Sequence, residues 1–116
     1  MVQSHRELIV WQRAIQLSIT IYRLTAGFPR QEIYGLTNQL RRASVSIASN
    51  IAEGYGRGSK GEYKQFLSIA RGSNLELQTQ LVIARELSFA DGPSIDKAER
   101  MTVEIDKMLN TMLKKL

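Results

Sequence analysis

The chain has 116 residues, enough for one domain that buries about two thirds of its unfolded surface in a single core. It carries 16 Lys and Arg against 11 Asp and Glu, a net charge of +5, and it contains no Cys. The absence of Cys excludes disulfides and thiolate metal sites and is typical of a reducing compartment. No apolar run approaches membrane-spanning length, and the first residues lack the apolar segment of a secretion signal. We therefore expect a cytoplasmic domain over residues 1–116, with no membrane contact, metal or cofactor.

The first half of the chain predicts two helices. Ser4, followed by Glu7 three residues later, can form a capping box that starts the first helix. That helix should end just before Gly27 and the Phe-Pro pair that follows it. Thr37 is the expected N-cap of the second helix, which should end at Gly54 because three glycines in residues 54–58 disfavour a helix.

The second half predicts two more helices. Ser59 with Glu62 supplies another capping box, and Ser94, after an Asp-Gly-Pro turn, is the expected N-cap of the last helix. No segment alternates with a period of two, so no strand is predicted. The predicted helices cover residues 5–26, 37–54, 60–90 and 95–115. Their short links favour an all-α, antiparallel up-down-up-down four-helix bundle.

The first helix has more apolar surface than one core needs. Its apolar residues span an arc of about 220°, whereas a helix facing a single core needs little more than 100°. The second helix also has a further face of small residues. These faces are either satisfied inside the bundle or available to another subunit. The candidate interface residues are Trp11, Leu17, Ile21, Ala48 and Ala52.

Tests for catalytic chemistry fail. A di-iron bundle needs Glu-x-x-His on facing helices, but the only histidine, His5, has no carboxylate three residues before it. Residues 54–60 contain glycines but not the order of a phosphate-binding loop, so they predict an inter-helix turn. The helix start beside Arg57 and Lys60 could still attract an anion. We therefore expect a non-enzymatic protein.

A set of polar residues lies on the second and third predicted helices. Its members are Arg42, Asn50, Glu53, Ser73 and Glu76. They either line a binding groove or form a structural lattice in which Arg42 pairs with Glu76 and sets the register between helices. We favour the structural interpretation, because polar residues in bundles often specify alignment.

Four segments carry a family resemblance. They are ELIVWQRA at residues 7–14, FPRQEIYGL at 28–36, QLRRASVSIASNIAEG at 39–54 and GSNLELQTQL at 72–81. Their order and spacing resemble the bacterial four-helix-bundle family named for proteins encoded in intervening sequences of large-subunit ribosomal RNA genes. That family also includes the accessory variability determinants of diversity-generating retroelements. Two positions depart from it, because Ala48 stands where many relatives have Pro and Gln78 where many have Glu.

The resemblance implies a ring-like homo-oligomer, most simply a homopentamer, and no settled enzymatic activity. The retroelement relatives imply binding to RNA or an RNA–DNA hybrid and contact with a reverse transcriptase. All seven basic residues in residues 1–58 are Arg, against three acidic residues, which suits contact with phosphate. The predicted nucleic-acid contacts are Arg13, Arg23, Arg57 and Lys60. Arg41 and Arg42 are weaker candidates, because acidic neighbours are expected to pair with them. The alternative function is a protein-interaction scaffold without a nucleic-acid role.

Overall fold

The computed structural model describes residues 2–116, which form four α-helices and no strand. The helices are α1 (Ile9–Thr25), α2 (Leu36–Gly56), α3 (Lys60–Glu86) and α4 (Gly92–Lys115). Short 3-10 helices, His5–Glu7 and Arg30–Glu32, precede α1 and α2. Each α-helix packs against its two neighbours around a closed square, with the most extensive contact between α2 and α3. The predicted all-α four-helix bundle is confirmed, with extents of 43 × 23 × 20 Å.

The core is a column of aliphatic side chains from all four helices. They recur at spacings of three and four residues, which places one face of each helix toward the bundle axis. The largest completely buried ones are Leu17 and Ile21 in α1, Leu40, Ile47 and Ile51 in α2, Leu67, Leu77 and Leu81 in α3, and Ile95, Ile105 and Leu109 in α4. The three methionines of α4 pack at the edge of this column.

The first helix begins later than residue 5. The Ser4 hydroxyl accepts a hydrogen bond from the backbone N–H of Arg6 at 3.1 Å, and the Glu7 carboxylate accepts one from the backbone of Gln3. These contacts close the 3-10 helix His5–Glu7 instead of starting an α-helix. Leu8 is extended, with φ −73° and ψ 123°, so α1 begins at Ile9.

The second helix is capped by a residue other than Thr37, which is buried in its first turn. Gly35 is the N-cap, and the Glu32 carboxylate accepts a hydrogen bond from the backbone N–H of Leu36 at 3.1 Å. The helix also continues past Gly54 to Gly56. Gly54 therefore lies inside the helix, where it allows α3 to pack closely. A Cβ at this position would lie 2.7 Å from the Cβ of Phe66 on α3.

The third helix is shorter than predicted and the fourth starts earlier. Ser59 caps α3 as expected, accepting from the N–H of Glu62 at 3.2 Å. The helix ends at Glu86 because the chain turns through Ser88, whose φ is +57°. Asp91 caps α4, its carboxylate accepting from the N–H of Ser94 at 2.8 Å. Ser94 therefore lies inside the first turn of α4 and is not its N-cap.

Candidate nucleic-acid interface

Two of the four predicted nucleic-acid contacts are already paired with carboxylates. The guanidinium of Arg13 on α1 lies 3.3 Å from the carboxylate of Glu104 on α4. Arg57, which follows α2, lies 3.8 Å from each of Glu53 and Glu62 and rests over the ring of Phe66. Their positive charge is therefore partly compensated within the chain.

Lys60 and Arg23 form no ion pair within residues 2–116, and both are exposed. Lys60 is the first residue of α3. Arg23 lies near the end of α1, at the opposite end of the bundle from Lys60. The structure therefore does not bring the four predicted residues into one patch.

Arg23 has a cationic neighbour that the sequence did not single out. It lines a cavity of about 210 Å³ together with Lys97 and the side chains of Thr20 and Ser94. Lys97 is on α4, so only the antiparallel packing of α1 against α4 brings the two cations to one cavity. Two positive charges beside two hydroxyl groups form a surface that suits a phosphate.

Arg41 and Arg42 were expected to pair with acidic neighbours, but neither pairs with a carboxylate in the described chain. Arg41 donates a hydrogen bond from Nε to the Thr25 hydroxyl at 2.8 Å, and its guanidinium lies 4.7 Å from the centre of the Tyr22 ring. Arg42 is exposed on α2. The prediction that Arg42 pairs with Glu76 is wrong; Glu76 instead accepts a hydrogen bond from Gln80, one turn along α3.

Most basic side chains of the described chain form no ion pair, whereas most acidic side chains form an ion pair or cap a helix. Of the 16 Lys and Arg, only Arg13, Arg57, Arg71 and Arg85 form ion pairs, and the other twelve form none within residues 2–116. Six carboxylates are in those pairs, and those of Glu32 and Asp91 cap helices. Most carboxylates are thus engaged by groups of the same chain, whereas most basic side chains are exposed and unpaired in the described chain.

Hydrogen bonds within the chain shift the pKa values of Asp91 and Arg85. The hydrogen bond from the backbone of Ser94, reinforced by its hydroxyl, lowers the pKa of Asp91 below its ordinary value. The hydrogen bond to Glu99, followed by that to Asp96, raises the pKa of Arg85. Asp91 and Arg85 both stabilise local structure at α4, so neither is free for a ligand.

The polar residues of α2 and α3 form a short network between the helices. The hydroxyl groups of Ser46 and Ser73 lie 2.9 Å apart, and the Asn50 amide donates to the Ser46 hydroxyl at 3.0 Å and to its carbonyl at 2.8 Å. Ser73 therefore joins α3 to α2. Glu53 lies outside this network and contacts only Arg57 across the helix surface.

The sequence did not single out two buried amides, because Asn and Gln on a helix are ordinarily surface residues. Asn74 is completely buried, and its amide donates to the backbone carbonyl of Thr102 on α4 at 2.8 Å. Gln80 is 5% exposed and donates to Glu76 at 3.1 Å. The side-chain oxygens of both amides have no hydrogen-bond partner within the described residues.

The candidate oligomer interface needs correction. Leu17 and Ile21 are completely buried and Ala48 is nearly so within the single chain, because their helix faces point to the core. They cannot present a surface to a second subunit, whereas Trp11 and Ala52 remain partly accessible. An apolar face on α3, between 43% and 50% exposed, was not among the predicted interface residues. Its members are Ile69, Leu75, Val82 and Ile83.

Residues 2–116 contain neither a cluster of metal ligands nor a membrane-spanning helix. No group of three or more His, Asp or Glu residues among residues 2–116 is placed to hold a metal ion. None of the helices in that range is long and apolar enough to cross a membrane.

Fold and surface together define a small all-α bundle with a cationic exterior. Residues 6–111 match the family of 23S rRNA-intervening sequence proteins, and the chain belongs to that family. A crystal structure of a protein of unknown function from the S23 ribosomal protein family of Bacteroides thetaiotaomicron has a similar fold, with a TM-score of 0.83 and 20% identity. The similarity covers 91% of this chain and 99% of that one. No curated protein matches the chain.

Proposed function

We propose that this protein is a non-enzymatic, ring-forming bundle that binds nucleic acid through exposed cationic side chains. The observation that carries the proposal is the set of twelve Lys and Arg without an ion pair in residues 2–116, set against carboxylates that mostly serve pairs and caps. Such a surface attracts a polyanion whatever its sequence, because phosphate neutralisation releases counterions.

The residues that contribute to this binding are those whose charge is free. Arg23 with Lys97, Lys60, and Arg42 meet that condition, whereas Arg13 and Arg57 give up part of their charge to carboxylates. A single chain offers these cations at separate places along a body 43 Å long. Each contact is weak alone, and a ring of copies would make the contacts additive through multivalency.

A ring needs two different complementary surfaces on each subunit, because a head-to-tail interface pairs one patch with another. The chain offers two apolar candidates. One is the α3 face, formed by Ile69, Leu75, Val82 and Ile83. The other is the α1 face, formed by Trp11, Ile15 and Ile19, which lie four residues apart and so line one side of the helix. In the proposed homopentamer, the α1 face of one subunit packs against the α3 face of the next.

The ligand class follows from the retroelement relatives that the motifs resemble, which favour RNA or an RNA–DNA hybrid and a reverse transcriptase as protein partner. The same apolar faces would suit a protein-interaction scaffold, and that is the alternative function. The two functions differ in whether nucleic acid binds at all.

Fluorescence anisotropy at low salt tests the proposal, with structured RNA, duplex DNA and an RNA–DNA hybrid as probes. We expect all three to bind at micromolar protein or below, with small differences between sequences. If none of the three binds under these conditions, the nucleic-acid function is wrong and the scaffold function stands.

A further inference from the structure

A groove lies over the first half of α2. It has a volume of about 730 Å³. It is lined by side chains of α2, by Tyr22 of α1 and by Ile33 and Tyr34 of the turn that precedes α2. Grooves of this size accommodate ligands the size of one or two nucleotides.

Two tyrosines and two arginines line this groove. Tyr34 is 94% exposed, and the turn that carries it is fixed by backbone hydrogen bonds from Ile33 to Arg30 at 3.2 Å and from Gly35 to Glu32 at 2.9 Å. A tyrosine held so far from any packing partner exposes both ring faces to water. An exposed ring of this kind is ready to stack on another flat, apolar group.

The charge of the groove is positive and uncompensated. Arg41 and Arg42 both line it, and no carboxylate does so among the described residues. The carboxylate of Glu32, in the 3-10 helix before α2, accepts a hydrogen bond from Leu36 at the start of α2. Arg41 is held in place by Thr25 and by the Tyr22 ring, so its guanidinium is preorganised.

The chemistry of these groups fits an unpaired nucleotide. The Tyr34 ring can stack on a base, which every base permits because each has an aromatic face. Arg41 and Arg42 can contact the flanking phosphates with forked hydrogen bonds. Asn38 is exposed, lines the same groove and can hydrogen-bond to polar base edges. A duplex hides its bases within the stack, so Tyr34 can act only on single-stranded segments.

We propose that this groove is a stacking site for an unpaired base of single-stranded nucleic acid, with Tyr34 as the stacking platform and Arg41 and Arg42 as the phosphate contacts. The proposal rests on the proposed nucleic-acid binding and adds a preference for unpaired segments. The sequence did not reveal this site, because Tyr22 and Tyr34 reach the arginines only through the packing of α1 and the turn against α2.

The test uses an unstructured RNA of about 12 nucleotides that carries a single 2-aminopurine, whose fluorescence is quenched by stacking. We expect the wild-type protein to bind it and to quench the 2-aminopurine. Tyr34→Ala should weaken the affinity by about 5- to 150-fold and abolish the quenching, since a base–aromatic stack contributes that much. Tyr34→Phe should retain both, because it keeps the ring. Ile9→Ala, an exposed apolar residue at the other end of the bundle, is the matched control and should change neither.

A duplex RNA of the same sequence separates this proposal from the proposed function. Tyr34→Ala should bind the duplex as the wild type does. If the duplex binds but Tyr34→Ala leaves single-strand affinity and quenching unchanged, the stacking site is refuted and the phosphate-driven function survives. If the wild type binds neither probe, both proposals fail. If Tyr34→Ala changes the oligomeric mass of the free protein, the groove is a contact between copies and the stacking site is overturned.

Discussion

Asn74 shows how a buried polar side chain holds two helices of this bundle together. Its amide crosses from α3 to the backbone carbonyl of Thr102 on α4, and no water-accessible alternative exists because the residue is completely buried. Asn50, in contrast, is only partly buried and bonds to Ser46 within its own helix. We therefore expect Asn74 to contribute more to the free energy of unfolding than Asn50.

Replacing Asn74 by Ala should lower the free energy of unfolding by about 1–3 kcal/mol, because a buried inter-helix hydrogen bond and its packing are lost. Asn50→Ala is the matched control, with an expected loss of about 1 kcal/mol or less, since the Ser46 carbonyl keeps its helical hydrogen bond. Urea unfolding of both variants measures the difference. Equal losses, or a larger loss at Asn50, would contradict this ranking.

Residue roles were the least predictable feature of this chain from its sequence. The spacing of polar residues identified Asn50 and Ser73, which do join one network. It could not show that Arg13 faces Glu104, because that pair depends on how α1 packs against α4. For the same reason it paired Arg42 with an acidic residue, whereas α2 turns Arg42 outward.

At the scale of helices, Gly54 controls how closely α2 approaches α3. A Cβ at this position would lie 2.7 Å from the Phe66 Cβ and 3.3 Å from the Tyr63 carbonyl oxygen. Gly72 lies within α3 but has open space around it. Gly72 is exposed, so no neighbouring helix limits the size of the side chain there.

Gly54→Ala should therefore lower the free energy of unfolding by about 1–3 kcal/mol, because the helices must separate to admit the methyl group. Gly72→Ala should raise it by about 0.5–1 kcal/mol, because alanine costs less backbone entropy in a helix interior. Thermal or urea unfolding distinguishes the two signs. A neutral Gly54→Ala would mean that α2 and α3 are less closely packed than described.

The cap of α4 gives a pH-dependent prediction. Hydrogen bonds from Ser94 lower the pKa of Asp91 below 3.8 in the folded chain. Its stabilising effect is thus complete above that ordinary value and is lost as the pH falls through the lower, folded pKa. Asp91→Asn keeps a capping oxygen but cannot ionise.

We expect the wild type to have the higher melting temperature at pH 6, because a carboxylate at a helix N-terminus is favourable. The difference from Asp91→Asn should shrink as the pH falls below about 4. Melting curves of both proteins across this range provide the measurement. A difference that stays constant down to pH 2 would show that Asp91 does not act through its charge.

The existence of the four helices was predictable from the sequence, whereas the start of a helix was predictable only where no second capping group lay nearby. Ser59 and Glu62 are three residues apart, and they cap α3 as predicted. The starts of α2 and α4 escaped prediction because Glu32 and Asp91 displaced Thr37 and Ser94 as the capping groups. The early end of α3 depends on distant packing, since Phe89 turns back toward Phe28 and their ring centres lie 5.5 Å apart.

At the scale of the whole molecule, the apolar face of α3 is the feature that a single chain leaves unexplained. Leu75 and Val82 lie two helical turns apart on this face and are both about half exposed. The architecture itself was predictable, because apolar periodicity and the family motifs agree on a four-helix bundle. The exposed α3 face was missed because the sequence analysis considered a second apolar face only on α1 and α2.

Leu75→Glu combined with Val82→Glu should dissociate the proposed ring while leaving the bundle folded, since both side chains are exposed in the single chain. Light scattering should give five times the 13.1 kDa chain mass for the wild type and a single-chain mass for the variant. Circular dichroism should show unchanged helix content. Ile9→Glu, also exposed and at the start of α1, is the control and should keep the ring. A wild type of single-chain mass at micromolar concentration would contradict the ring.

The proposed function requires that free cations on the surface bind nucleic acid through its phosphates. The salt dependence of the association constant for duplex RNA tests it most directly, with the wild type, Arg23→Gln and Arg13→Gln compared. We expect a steep linear fall of log K against log salt for the wild type, and a slope shallower by about 1 for each contact that Arg23→Gln removes. Arg13→Gln should change the slope less, because Glu104 already pairs with Arg13. An association constant that does not respond to salt, or no binding at low salt, would contradict the claim.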